Sequence, residues 1–145
     1  ERGWRVIAPH YRGDASERRD LLLETIAGEA GPVALTGSSM GGIVSVMAAQ
    51  ERPVAGLFLL APAVYYPGHD HLDHSVETPV VHIIHGWRDD VIAPDWVIRF
   101  AREHRATLSL VDDDHRLSGD RLALERIYAD FLDALDRAET AGGPA

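Results

Sequence analysis

The chain places Thr36-Gly37-Ser38-Ser39-Met40-Gly41-Gly42, a Gly-x-Ser-x-Gly pentapeptide, between two apolar runs. Residues 32–35 read as a short buried strand, and residues 43–50 read as a buried helix. A strand that reverses into a helix over so few residues strains the backbone at the serine, and glycines on either side leave room for strand and helix to approach. The hydroxyl of Ser39 then stands clear of a sheet, at a helix N-terminus whose amides favour developing negative charge. The competing reading of the same residues is a tight turn in which serine caps the helix.

Length and charge narrow the rest. At 145 residues the chain makes one domain with a real core. Its net charge of -9 argues against nucleic acid or an anionic membrane surface as a partner. No apolar run approaches the length of a membrane span. With no cysteine, the chain has neither disulfides nor a thiol nucleophile nor thiolate metal sites. The N-terminus shows no signal-peptide pattern, so a cytoplasmic location is the expectation.

Residues 3–9 give a strand signal ending at the turn residues 11–14. A helix over 16–30 carries Leu22, Leu23, Ile26, Ala27 and Ala30 at helical spacing. Residues 54–61 and 79–85 read as strands buried on both sides, separated by a loop of residues 62–78. Pro94 suits the first turn of a helix with Val97, Phe100, Ala101 and His104 inward. Residues 107–111 form the last strand. Ser118 can cap a final helix with Leu124, Ile127, Tyr128, Phe131 and Leu135 on one face. Residues 1–138 are thus one domain, and residues 139–145 a frayed tail. Five strands alternating with four helices predict an α/β fold, a mostly parallel sheet with helices on both faces. In such sheets ligands gather beyond the carboxyl ends of the strands. Ser39, Asp89 and His115 each follow a predicted strand within a few positions.

In this arrangement the chain resembles the α/β-hydrolase superfamily over nearly its whole length. Gly37-Ser38-Ser39-Met40-Gly41 matches the family's nucleophile elbow. His85-Gly86-Trp87-Arg88-Asp89 looks like the segment that carries its acid, and Asp114-His115 like the segment that carries its base. The order Ser, Asp, His is also the family's. The resemblance implies Ser39 as nucleophile, His115 as base and Asp89 as the group that orients the base, with Asp90 its neighbouring rival. It implies the amide of Met40 as an oxyanion donor. One departure stands out: the family's second oxyanion donor follows an earlier strand, often at His-Gly, and nothing of that kind precedes Trp4. The N-terminal strands of the family are therefore expected to be lacking here.

His69-Asp70-His71-Leu72-Asp73-His74 competes for attention, because it matches His-x-His-x-Asp-His and resembles the zinc loop of metallo-β-lactamases. The alternating α/β pattern is wrong for that fold, and the motif reads first as a polar loop. His82 and His85 read as hydrogen-bonded structural residues, and His10 as a turn residue. The connection holding the histidines is too short for a helical lid, leaving Tyr65, Tyr66 and Trp87 to wall an open pocket. The expectation is a serine hydrolase of the carboxylesterase or thioesterase kind, acting without a cofactor or metal on a small ester-type substrate. The alternatives are a non-catalytic binding domain on the same fold and a metal-dependent hydrolase using the histidine loop.

Overall fold

The structure, a computed structural model, describes residues 3–69 and 71–141. Its element order is α1 (Ala15–Ile26), β1 (Ala34–Ser38), α2 (Met40–Glu51), β2 (Gly56–Leu60), β3 (Val80–Gly86), α3 (Pro94–His104), β4 (Thr107–Val111) and α4 (Arg121–Ala141). The four strands pair in chain order, β1-β2-β3-β4, and every pairing is parallel. Every strand therefore presents its carboxyl end at the same rim.

Alternation along the strands decides which helix covers which face. Leu57 and Leu59 of β2, with Val81 and Ile83 of β3, pack with Ile43, Val46 and Met47 of α2 and Val97 and Phe100 of α3. Phe58, Val80 and Ile84 point the other way, onto Phe131 and Leu135 of α4. The rings of Phe58 and Tyr128 meet edge to face at 4.9 Å between centroids, a geometry aromatic quadrupoles favour. Helix α2 is buried nearly all round, and α1 packs on it rather than on the sheet.

The first helix starts at a capping box. The Asp14 carboxylate accepts from the Glu17 amide while Glu17 accepts from the Asp14 amide, which satisfies two of the donors a helix N-terminus leaves over. The expected helix over 16–30 ends earlier, at Ile26. Helix α4 is capped by Asp120, whose carboxylate accepts from the Ala123 amide, and not by Ser118. It continues through Ala141, so residues 139–141 of the expected frayed tail are helical. Residues 142–145 lie outside the described residues.

The largest correction concerns residues 3–9. They form no strand, and the sheet has four strands among the described residues instead of five. A strand exists through its ladder partner, and a groove of about 840 Å³ separates this segment from β1. Val6 is 82 % exposed. Contacts to α1 tether the segment: Arg5 pairs with Glu29 just beyond the helix, and the Tyr11 hydroxyl meets Thr25.

Candidate active site

Ser39 sits between the end of β1 and the start of α2 with φ 51° and ψ -115°. For a residue with a Cβ this backbone is strained, of order 1–3 kcal/mol, and the surroundings must impose it. They do so through hydrogen bonds on both sides of the residue. The Ser39 amide donates to the Leu60 carbonyl at 2.9 Å, and the Ser39 carbonyl accepts from the amides of Gly42 and Ala63, each at 3.0 Å. Although Ser39 occupies the N-cap position, its hydroxyl makes no cap hydrogen bond. That removes the reading of the motif as a mere helix cap.

The glycines divide the work differently from the sequence expectation. A Cβ on Gly37 would lie 2.1 Å from the Gly41 carbonyl oxygen, so strand and helix cross there without room for a side chain. A Cβ on Gly41 would meet nothing within 4 Å. The second close approach belongs to Gly42, where a Cβ would lie 2.7 Å from that of Pro62.

Asp89 lies past the end of β3, buried, while Asp90 is exposed. Its Oδ1 accepts from the amides of Val91 at 2.9 Å and Ile92 at 2.8 Å. Its Oδ2 lies 2.8 Å from His115 Nδ1. Burial pushes the carboxyl up, but the Ile92 amide, the His115 ring and the Val91 amide outweigh it and hold Asp89 below the usual carboxylate range. The other ring nitrogen, His115 Nε2, lies 3.0 Å from Ser39 Oγ. One imidazole thus bridges the hydroxyl and the carboxylate across 76 residues of sequence on one side and 26 on the other.

The loop that delivers His115 is fixed by its own aspartates. Asp113 accepts from the amides of Asp114 and Gly119, and Asp114 accepts from that of Arg116. Arg88 reaches across to Asp112, with Nε 2.6 Å from Oδ1. Beneath this loop runs Gly86, where a Cβ would lie 2.3 Å from the Asp113 carbonyl oxygen. The glycine of His85-Gly86 is therefore what lets the connections that carry Asp89 and His115 touch. The sequence offered a signal for it, a glycine at the end of a buried strand.

The remaining sequence candidates are placed as follows. Met40 opens α2, so its amide is among those a helix leaves without an intrahelical acceptor. Tyr65 is bound to α3: its hydroxyl donates to Glu103, and Arg99 lies over its ring at 4.0 Å. Burial first, and then Glu103, push that phenol up to about 12. Tyr66 leans on Trp96 and His69, and Trp87 is 56 % exposed. His10 is exposed. Within the histidine motif, His69 Nδ1 lies 3.3 Å from the Ala63 carbonyl oxygen, and His74 Nε2 accepts from the Tyr65 amide. Asp73 accepts from the amide and hydroxyl of Ser75, and Asp70 lies outside the described residues. Among the described residues no group of three or more His, Asp or Glu side chains is arranged to hold a metal. His85 makes the hydrogen bond expected of it, to the Ile92 carbonyl at 3.0 Å. The Nδ1 atom of His82 is buried without a hydrogen-bond partner among the described residues.

A parallel α/β sheet with a strained serine at the turn into a buried helix defines a class of protein, and sequence comparison agrees with it. The profile of the alpha/beta hydrolase family matches residues 2–144, and the chain belongs to that family. A solved structure of a proposed hydrolase of the α/β superfamily from Xanthomonas campestris pv. campestris is 34 % identical, with a TM-score of 0.73 over 84 % of this chain and 70 % of that one. Est1E from Butyrivibrio proteoclasticus matches at 16 % identity and TM-score 0.73, covering 86 % of this chain and 72 % of its own. The monoacylglycerol lipase of Paleococcus ferrophilus matches at 15 % identity and TM-score 0.68, covering 86 % and 76 %. At those lower identities the likeness is one of fold. No curated protein matches this chain. No helix among the described residues is long and apolar enough to cross a membrane. The chain is a hydrolase by family and fold.

Proposed function

We propose that the chain is a serine hydrolase that cleaves a small ester or thioester through an acyl-enzyme, with Ser39, His115 and Asp89 as its catalytic triad. The observation that carries this reading is the single imidazole hydrogen-bonded to Ser39 Oγ at 3.0 Å and to Asp89 Oδ2 at 2.8 Å. As Ser39 Oγ attacks the acyl carbon and the C–O bond forms, His115 Nε2 takes the hydroxyl proton. The carbonyl oxygen gains the negative charge, which the Met40 amide at the head of α2 stabilises. Collapse of the tetrahedral adduct breaks the bond to the leaving alkoxide or thiolate, and His115 returns the proton to it. Water then repeats the sequence on the acyl-enzyme and restores Ser39. Asp89 stays ionised throughout, fixing the ring with its proton on Nδ1 and balancing the imidazolium.

The Asp89 environment supports this assignment. Two backbone amides and the His115 ring keep the carboxyl ionised despite its burial. The short connection between β2 and β3 supports small or protruding acyl groups as substrates, with Tyr66 and Trp87 available as walls. Tyr65 is already engaged by α3, which makes it the weakest of the three proposed substrate contacts. The test is pre-steady-state hydrolysis of p-nitrophenyl acetate. A burst of one phenolate per chain, absent in Ser39→Ala, is expected. Steady turnover that survives Ser39→Ala and disappears with a chelator would establish a metal-dependent hydrolase instead. Folded protein with neither burst nor turnover on acyl esters and thioesters would favour a binding domain.

A further inference from the structure

His85 is one of the most enclosed polar side chains in the molecule, with 0 % of its surface exposed, and the proposed chemistry leaves it without a task. It is the penultimate residue of β3, just before the glycine on which the β4 loop rests. Its Nε2 lies 3.0 Å from the Ile92 carbonyl oxygen and 3.5 Å from Asp89 Oδ2. A carbonyl only accepts, so Nε2 carries the ring proton and Nδ1 is a bare lone pair. That Nδ1 is buried and has no partner among the described residues.

Two readings compete for these facts. A residue that merely fills space would do better as leucine, because burying a lone pair without a donor is destabilising. The histidine accepts that penalty, and what it gains is one N–H aimed between two oxygens that matter. Ile92 is held at both ends, its amide by Asp89 Oδ1 and its carbonyl by His85. The N–H also flanks Oδ2, the oxygen that holds His115.

We propose that His85 is a positioning residue for Asp89, a neutral imidazole whose Nε2 proton pins the 89–92 turn and fixes the carboxylate in the orientation that His115 requires. The inference rests on the serine-hydrolase reading above, since it assigns His85 its role through Asp89. Burial lowers the basicity of His85; Asp89 and the Ile92 carbonyl act the other way, and His115 adds to the lowering, with a net effect that favours the neutral ring.

Three readouts test it on the whole chain. His85→Phe keeps an aromatic of similar bulk and removes the proton, whereas His85→Gln restores an N–H at the same reach. His85→Phe is expected to lower kcat about 10- to 100-fold with KM within about 2-fold, as a small misplacement of a catalytic group does. His85→Gln is expected to recover most of the loss. Wild-type kcat in folded His85→Phe, or His85→Gln no better than His85→Phe, would overturn the proposal. The low-field proton resonance of His115 Nδ1 gives a readout independent of turnover: it should move in His85→Phe and return in His85→Gln, and an unmoved resonance counts against the proposal. If neither variant folds, nitrogen-15 spectra of the wild-type chain decide. The proposal requires His85 to be protonated on Nε2 alone at pH 7.5, and a proton on Nδ1 there would refute it. Loss of all esterase and thioesterase activity in the wild type would sink the functional reading, whereas the resonance readouts address His85 itself.

Discussion

The two sides of β1 are built to different standards. At its carboxyl end, and along the rim it shares with the other strands, the backbone is crowded until only glycine fits at 37, 42 and 86; the turns after β1 and β2 bond to each other through amides and carbonyls, as do those after β3 and β4. Along its outer edge lies the groove of about 840 Å³, and beyond it residues 5–10 are exposed. None of Ser39, Asp89 and His115 lines that groove. Cavity size alone would therefore point away from the chemistry. Close backbone crossings and a strained φ mark the end that carries Ser39, the proposed reactive end, because geometry good to a fraction of an ångström needs neighbours that cannot shift.

The sharpest break in this comparison comes from removing the groups proposed to react. Ser39→Ala should lower ester turnover by about 10⁴-fold or more while the melting temperature stays near that of the wild type. Asp89→Asn should lower kcat by about 10⁴-fold, and Asp90→Asn, at the exposed neighbour, should leave it near wild type. Equal effects at 89 and 90 would mean that the observed hydrogen bond to His115 does not define the acid.

Next come the crossings. Gly86→Ala should destabilise the fold by roughly 1–3 kcal/mol, as overpacking does, and it should reduce kcat because the 113–115 backbone must move away. Gly41→Ala meets nothing and lies within a helix, so denaturant unfolding should find it unchanged or more stable by up to about 1 kcal/mol. If the two variants behave alike, backbone crowding is not what assembles the site.

Acid sharpens the comparison further. Burial lowers the basicity of His74, His82 and His85 in the folded chain, so the unfolded chain binds more protons as pH falls. The stability these groups contribute is complete above the ordinary histidine value of about 6.5 and is lost progressively below it. His74 adds a local consequence, since a protonated Nε2 can no longer accept from the Tyr65 amide. Melting temperature should therefore decline between pH 7 and pH 5, before the depressed carboxyl of Asp89 takes up its proton; a flat or rising curve would contradict this. The smallest effect belongs to the exposed segment: Val6→Ser should change unfolding free energy by no more than about 0.5 kcal/mol.

Much of the candidate site was legible in the sequence because its requirements are local. A glycine-flanked serine between a strand and a helix, an aspartate four residues after His85 and a histidine after the last strand each sit in short, patterned context. The misread parts depend on partners that local pattern does not contain. Residues 3–9 have a strand's composition, yet among the described residues no neighbouring strand turns that composition into a ladder. Gly42 lies outside the Gly-x-Ser-x-Gly pattern, and its need for glycine comes from Pro62, remote in the sequence. Ser118 and Asp120 are both competent caps, and only the start of α4 at Arg121 chooses between them. The histidine motif shows the reverse case, a regular pattern whose rings at 69 and 74 are engaged by the loop's own backbone.

The central claim is that His115, held by Asp89, makes Ser39 nucleophilic. Labelling with a fluorophosphonate probe, with the adduct located by mass spectrometry, tests it most directly. One adduct on Ser39 is predicted in the wild type, absent in Ser39→Ala and formed at least 100-fold more slowly in folded His115→Ala, within the range set by removing a base that activates serine (about 10²- to 10⁴-fold). Folded wild-type protein that stays unlabelled, or that labels equally fast without His115, would contradict the account.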